Sequence, residues 1–325
     1  MIAFVIQRLF QGAGIVLAMS LIVFIGVYAI GDPVEILIPA DADQATREAV
    51  RRSLGLDGPL WEQYFHFLAS AVRGDLGRSF VFNIPSIELI FQRMPATMEL
   101  ALSATVLAVL IGVPLGLVAG LHPERWYSKA IMAGSIFGFS LPTFWVGLIL
   151  ILTFGVWLSW FPVFGRGETV EVLGVDLSIL TVDGLRHIFL PALNLALFKV
   201  ALLIRLTRAG TKEVVPQDYV RFARSMGIPG GRILRRHVLK NIMIPIVTVI
   251  GIEFGSVVAF AVVTESIFNW PGMGKLIIES INNLDRPVIV AYLMLIVVLF
   301  VIINLVVDLL YAVLDPRVRL REEAR

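Results

Sequence analysis

Charge is absent from the chain in long stretches. Leu9–Ile30, Leu100–Leu121 and Ala130–Phe161 contain no Asp, Glu, Lys or Arg. Three further apolar runs carry isolated charges. Ile188–Leu206 holds Lys199 and Arg205, Ile242–Val263 holds Glu253, and Val288–Tyr311 holds Asp308 near its end. A helix needs about 20 mostly apolar residues to cross the hydrocarbon core. The pattern therefore predicts an all-α membrane protein with six transmembrane helices. Pro114 and Pro142 interrupt two of them, which a bundle tolerates where neighbouring helices satisfy the freed carbonyls. The first run exceeds the usual signal-peptide apolar region, and "VYAIGDP" offers no small-x-small cleavage site, so an uncleaved first span is expected.

The polar segments divide the chain further. Residues 1–31 form an N-terminal segment with the first span, 32–99 a lobe outside the membrane, and 100–325 the remaining spans with a loop over 207–245. Within the lobe, Asp43 is placed to cap a helix running to about Leu54. "DGPLWEQYFHFLASAVRGD" predicts a second helix from Pro59 to near Gly74, with Leu60, Tyr64, Phe67, Leu68 and Ala71 on one apolar face. That face either packs on the bundle or docks an external partner.

Basic residues orient the spans. With the N-terminus inside, 16 Lys and Arg fall on inner segments and four (Arg166, Arg186, Lys275, Arg286) on the short outer loops. Short loops rich in Lys and Arg stay cytoplasmic, so both termini are expected there. The inner set includes Arg317, Arg319, Arg321 and Arg325.

Composition agrees and narrows the chemistry. The 325 residues are 58% hydrophobic and 16% charged, against about half and a quarter in soluble domains. Cysteine is absent, and His66, His122, His187 and His237 lie far apart in sequence, so no metal centre is expected. A phosphate-cradling loop requires G-x-x-x-x-G-K-[ST]. "NWPGMGKL" puts Asn269 at its first Gly and Leu276 at its magnesium-binding hydroxyl. No Ser-His-Asp or paired-carboxylate pattern has a plausible membrane placement. The chain is expected not to be an enzyme.

Lys199 and Glu253 sit near the middle of consecutive spans, at similar depth. A charge at the bilayer centre costs at least ~2.5 kcal/mol and so faces a partner or a water-filled cavity. The two residues line a solute path or form a structural pair between neighbouring helices. Asn194 and Asn304 suit hydrogen bonds between helices.

The loop between the fourth and fifth spans, "QDYVRFARSMGIPGGRILRRHVLKNIMIP", concentrates charge: Arg221, Arg224, Arg232, Arg235, Arg236 and Lys240, with Arg208 and Lys212 just upstream. Pro216 suits the first turn of a short helix and Gly227 its end. Tyr219, Phe222, Ala223 and Met226 fall at i, i+3, i+4 and i+7. Arg232–Asn241 reads as a second helix entering the membrane at Pro245. A basic helix with an apolar stripe either lies on anionic headgroups or fills a groove on a cytoplasmic protein.

"ARSMG" followed by "HVLKNIMIP" resembles the cytoplasmic coupling loop of permease subunits in binding-protein-dependent ABC importers. The closer resemblance is to the dipeptide, oligopeptide, nickel and glutathione branch. Ala223 and Gly227 match the second Ala and the Gly of the superfamily's Glu-Ala-Ala-x-x-x-Gly signature. Arg221, Phe222 and Lys240 depart from its Glu, first Ala and closing Pro; such departures, with a later Pro245, fit the peptide branch. "GLDGPLWEQYFHFLASAVRGDLGRSF", "MPATMELALS", "FSLPTFWVGLIL", "LPALNLAL", "ESIFNWPGMGKL" and "DLLYAVLDPRVR" also resemble stretches of that branch, in the same order.

The resemblance implies a type I ABC importer permease in the bacterial inner membrane. Its partners would be a second homologous permease, two ATPase subunits holding ATP and Mg, and a periplasmic or lipid-anchored substrate-binding protein; membrane lipid surrounds it, and no nucleic acid is involved. This chain would hold no cofactor. Tyr219, Phe222, Ala223 and Met226 would enter an ATPase cleft, with Gly227 ending the helix at positive φ. The cargo would be di- or oligopeptide, with nickel or glutathione as the alternative. An ion-coupled secondary transporter, served by Lys199 and Glu253, and a membrane scaffold are rival readings; the former predicts inverted repeats.

Overall fold

The computed structural model describes residues 2–29, 43–53 and 58–314. The terminal "DPRVR" and the arginines from 317 on, residues 54–57 and residues 30–42 lie outside them. The helices are α1 (Ile2–Ala29), α2 (Gln44–Ser53), α3 (Leu60–Val72), α4 (Ser86–Leu121), α5 (Trp126–Ser140), α6 (Thr143–Leu150), α7 (Val182–Val214), α8 (Asp218–Ser225), α9 (Gly230–Ile233), α10 (Lys240–Phe260), α11 (Val262–Ile267), α12 (Met273–Asn282) and α13 (Arg286–Leu314). Two π-helical segments, Ile151–Trp157 and Leu234–Leu239, extend α6 and join α9 to α10. A short antiparallel hairpin, β1 (Val170–Val172) with β2 (Val175–Leu177), interrupts the helical pattern.

Among the described residues, five stretches are long and apolar enough to cross a membrane: Ile6–Gly26, Ser86–Leu121, Val182–Val214, Gly230–Phe260 and Arg286–Val307. The expected span over 130–161 is interrupted at Pro142, as read from the sequence, and the interruption is a sharp bend. α5 and the α6 segment meet at a bend of 105°. Leu141 there is extended (φ −84°, ψ 138°), because the ring of Pro142 disfavours the helical region for the residue before it. Pro114 does not interrupt its span: α4 runs through both Pro95 and Pro114.

The chain divides into two compact units. The first comprises Met1–Met94 with Gly272–Ile302, the second Pro95–Pro271 with Ile303–Arg325. In the first, Tyr64 and Phe67 of the expected apolar face of α3 pack on α1, while Leu60 at its start is exposed. Phe24 meets Tyr64 edge-on at 5.3 Å and Phe67 at 5.9 Å, and the Ser20 and Tyr64 hydroxyls hydrogen-bond at 2.8 Å. Asp43 caps α2 as expected, accepting from the Thr46 amide at 3.2 Å. The Thr46 hydrogen bonds, the side-chain one foremost, hold the Asp43 carboxyl below its ordinary range. The buried Asp285 accepts from the Ser79 hydroxyl and from the Phe80 amide at 3.0 Å, which fastens the "GDLGRSF" turn.

The second unit is built on a close helix contact. Gly112, Gly116 and Gly120 put a bare stripe on α4 against α7. A Cβ at these positions would lie 2.7, 2.6 and 2.5 Å from the Cβ atoms of Leu203, Thr207 and Thr211. Small residues four apart let two backbones approach this closely, which is how helices associate where no hydrophobic drive separates them from lipid. Leu150, Ile151, Leu190 and Phe268 form an apolar cluster joining α6 and α7 to the end of α11. Nearby, Asn194 donates to the Thr264 hydroxyl at 3.0 Å, and the buried Trp270 indole donates to the Ala96 carbonyl at 2.8 Å. The hairpin is held by the buried Glu99 of α4, which accepts from Arg166 at 3.0 and 2.6 Å, the Ser178 amide at 2.7 Å and the Ser178 hydroxyl at 3.0 Å.

Candidate coupling surface and intramembrane ion pair

α8 lies between α7 and the α9–α10 segment. Gln217 precedes it in an extended conformation (φ −64°, ψ 147°), Asp218 occupies its first turn and Arg224 its last. Both charges complement the helix dipole. At the other end the Ile228 amide donates to the Ala223 carbonyl at 3.2 Å and the Gly227 amide to the Arg224 carbonyl at 3.0 Å. This is the Schellman arrangement, and it requires a left-handed residue at Gly227, whose φ is 72°.

The structure divides the expected apolar stripe. Ala223 turns inward with Val220 and packs with Ile233 and Val238, beside Val214, Val215, Ile228 and Leu234. Tyr219, Phe222 and Met226 point the other way and are 43, 66 and 67% exposed. One side of α8 thus belongs to a small core of the loop itself, and the opposite side is largely exposed. Val220 was not part of the stripe read from the sequence. Its signal was available, since Val220 and Ala223 are three apart and the apolar Ile233 and Val238 follow across the turn.

The expected helix over Arg232–Asn241 is α9 followed by a π turn. Leu234–Leu239 adopts the wider geometry before α10 begins at Lys240, and α10 continues through Pro245. π turns mark local insertions and recur at functional positions. Asn241 in the first turn of α10 donates to the Tyr219 hydroxyl at 3.1 Å and to the His237 carbonyl at 2.6 Å.

Lys199 of α7 and Glu253 of α10 form an ion pair, with side chains 24 and 30% exposed. A small cavity of about 20 Å³ adjoins them, lined by Thr105 and Ala108 of α4, Leu202 of α7 and Val249, Phe254 and Val257 of α10. Of the pair's two helices, α7 precedes α8 directly and α10 follows it after α9 and the π turn. Arg205, one and a half turns beyond Lys199, stacks over the Phe139 ring at 5.2 Å. Among the described residues no cluster of three or more His, Asp and Glu is arranged to hold a metal ion.

Known proteins resemble the chain over nearly its whole length. Residues 112–320 match the family described as "Binding-protein-dependent transport system inner membrane component", and residues 1–101 its N-terminal companion. The chain is 37% identical over 320 residues to the glutathione transport system permease protein GsiC of Escherichia coli O6:H1, covering 98% of this chain and 99% of the relative. It is 38% identical, with the same coverage, to the oligopeptide transport system permease protein AppB of Bacillus subtilis. Among solved structures, the inward-facing MetNI methionine ABC transporter aligns over 70% of this chain and 96% of its own, with TM-score 0.53 and 14% identity. That likeness concerns the fold. The chain belongs to the inner-membrane component family of binding-protein-dependent transport systems, as a multi-pass permease subunit of an ABC importer.

Proposed function

We propose that this permease forms half of the path of an importer for di- or oligopeptides or glutathione, and that α8 is its contact with a cytoplasmic ATPase subunit. A second permease of the same type supplies the other half. Two ATPase subunits hold ATP and Mg and perform the hydrolysis, and an external binding protein delivers the solute. The cargo assignment follows the GsiC and AppB relatives, each similar over nearly the whole chain.

One observation carries the coupling role: Val220 and Ala223 anchor α8 in the loop core, while Tyr219, Phe222 and Met226 stand exposed on its other side. A rigidly held helix with a bare aromatic face suits insertion into a groove. ATP binding then biases a bistable bundle only through contacts that differ between the two ATPase states. Lys199 and Glu253 are assigned to the wall of the path. The test is Tyr219→Ala with Phe222→Ala in the co-expressed assembly. Loss of ATPase copurification, with unchanged thermal stability of the permease pair, is the expected result; normal assembly and uptake would refute the coupling role.

A further inference from the structure

We infer that the Lys199–Glu253 pair is a zwitterion-exchange site, at which a solute's carboxylate replaces Glu253 on Lys199 and its ammonium replaces Lys199 on Glu253. The inference rests on the peptide reading above and names the chemistry by which the permease itself would recognise that cargo.

The pair is poorly suited to a purely structural role. Isolating two charges from water costs more than their attraction returns unless further hydrogen bonds complete the site, and well-packed apolar residues often serve as well or better. α7 is already held by close packing elsewhere, through the glycine stripe of α4 against it. The pair is also accessible, since both side chains keep about a quarter to a third of their surface and border a cavity. That cavity has room for about one water, with apolar walls apart from the Thr105 hydroxyl.

Exchange with a zwitterion leaves every charge paired and the net charge unchanged. A solute bearing one charge strands either Lys199 or Glu253 against Val249, Phe254 and Val257, and is disfavoured by that unpaired charge. The site is also within reach of the motor. Lys199 stands about 20 Å of helix from the end of α7, and Glu253 about 20 Å from the start of α10, so displacing α8 moves the two walls that bear the pair.

The test uses the complete assembly in liposomes, with its ATPase subunits and binding protein, and measures uptake of trialanine and of trialanine amide, which lacks the carboxylate. Wild type is expected to turn over trialanine at least tenfold faster than the amide. Lys199→Met should narrow that ratio at least fivefold. Lys199→Met with Glu253→Leu removes both charges while filling their space, and should assemble stoichiometrically yet lose at least tenfold in trialanine uptake. The exchanged variant Lys199→Glu with Glu253→Lys should recover most of that loss. If the doubly apolar variant keeps wild-type uptake and ratio, the pair is structural and the inference falls while the peptide reading stands. If wild type carries glutathione but no trialanine, the inference falls while the importer reading stands; if it carries neither, both fall.

Discussion

Asn241 reaches the Tyr219 hydroxyl at 3.1 Å, tying the exposed face of α8 to the first turn of the helix that carries Glu253. The same amide nitrogen also donates to the His237 carbonyl at 2.6 Å, so the link is anchored within the π turn. Force applied to α8 then reaches α10 by a side-chain route as well as through the backbone. A single hydrogen bond is worth about 1 kcal/mol. Asn241→Ala is therefore expected to spare ATPase binding but lower solute uptake per ATP by about twofold to fivefold. An unchanged ratio of uptake to hydrolysis would show that the link transmits nothing.

Gly227 closes α8 at φ 72°, with no neighbouring atom within 4 Å of where a Cβ would stand. The penalty of a side chain there is conformational alone, about 1 kcal/mol for Ala. Gly227→Ala should speed amide exchange at Ile228, whose hydrogen bond to the Ala223 carbonyl depends on that turn. Exchange rates equal to wild type would mean the turn is not held by its glycine.

At Gly116 the obstacle is steric. An added Cβ would lie 2.6 Å from the Thr207 Cβ and 2.8 Å from the Ile204 carbonyl oxygen. Overpacking of this kind costs about 1–3 kcal/mol, so Gly116→Val should lower the thermal midpoint of the purified permease. Adding Thr207→Gly should recover only part of it, because the backbone carbonyl stays in place. Full recovery would locate the conflict in the side chain alone.

Glu99 collects Arg166 and the Ser178 amide and hydroxyl, and is almost wholly buried. Removing one partner of a buried pair costs about 3–5 kcal/mol. Glu99→Gln is expected to lose roughly that much stability and to open the Val170–Leu177 hairpin to protease, whereas Glu99→Gln with Arg166→Met should regain a large part. Indistinguishable melting of the single variant and wild type would remove the clamp.

What the sequence disclosed followed from how local each signal is. Long apolar runs, three of them free of charge, located the spans because crossing a membrane demands about 20 mostly apolar residues, whatever the neighbours do. The Schellman end at Gly227 was legible for a similar reason, since a glycine after a short amphipathic helix is a backbone requirement. The interruption at Pro142 was legible but its 105° extent was not, because a proline in an apolar run marks either a kink or a break, and Pro114 in a similar setting leaves α4 continuous. The division of α8 was hidden for a different reason. Val220 and Ala223 are apolar like Phe222, and only the position of Ile233 and Val238 across the turn decides which side is covered. The Gly112–Gly116–Gly120 stripe lay in plain view, but its partner surface on α7 appears only in the fold. Asp285 and Ser79 are about 200 positions apart, beyond any spacing rule.

The central claim is that α8 meets a nucleotide-driven partner. Because the chain has no cysteine, Phe222→Cys gives it one thiol of its own, and the assembly containing the unsubstituted chain serves as the control for thiols of the other subunits. Crosslinking from that position to an ATPase subunit, with a yield that changes on ATP binding, is the predicted result. A Phe222→Cys variant whose thiol forms no crosslink to any subunit, and whose attached spin label is quenched only by membrane-soluble reagents, would contradict it.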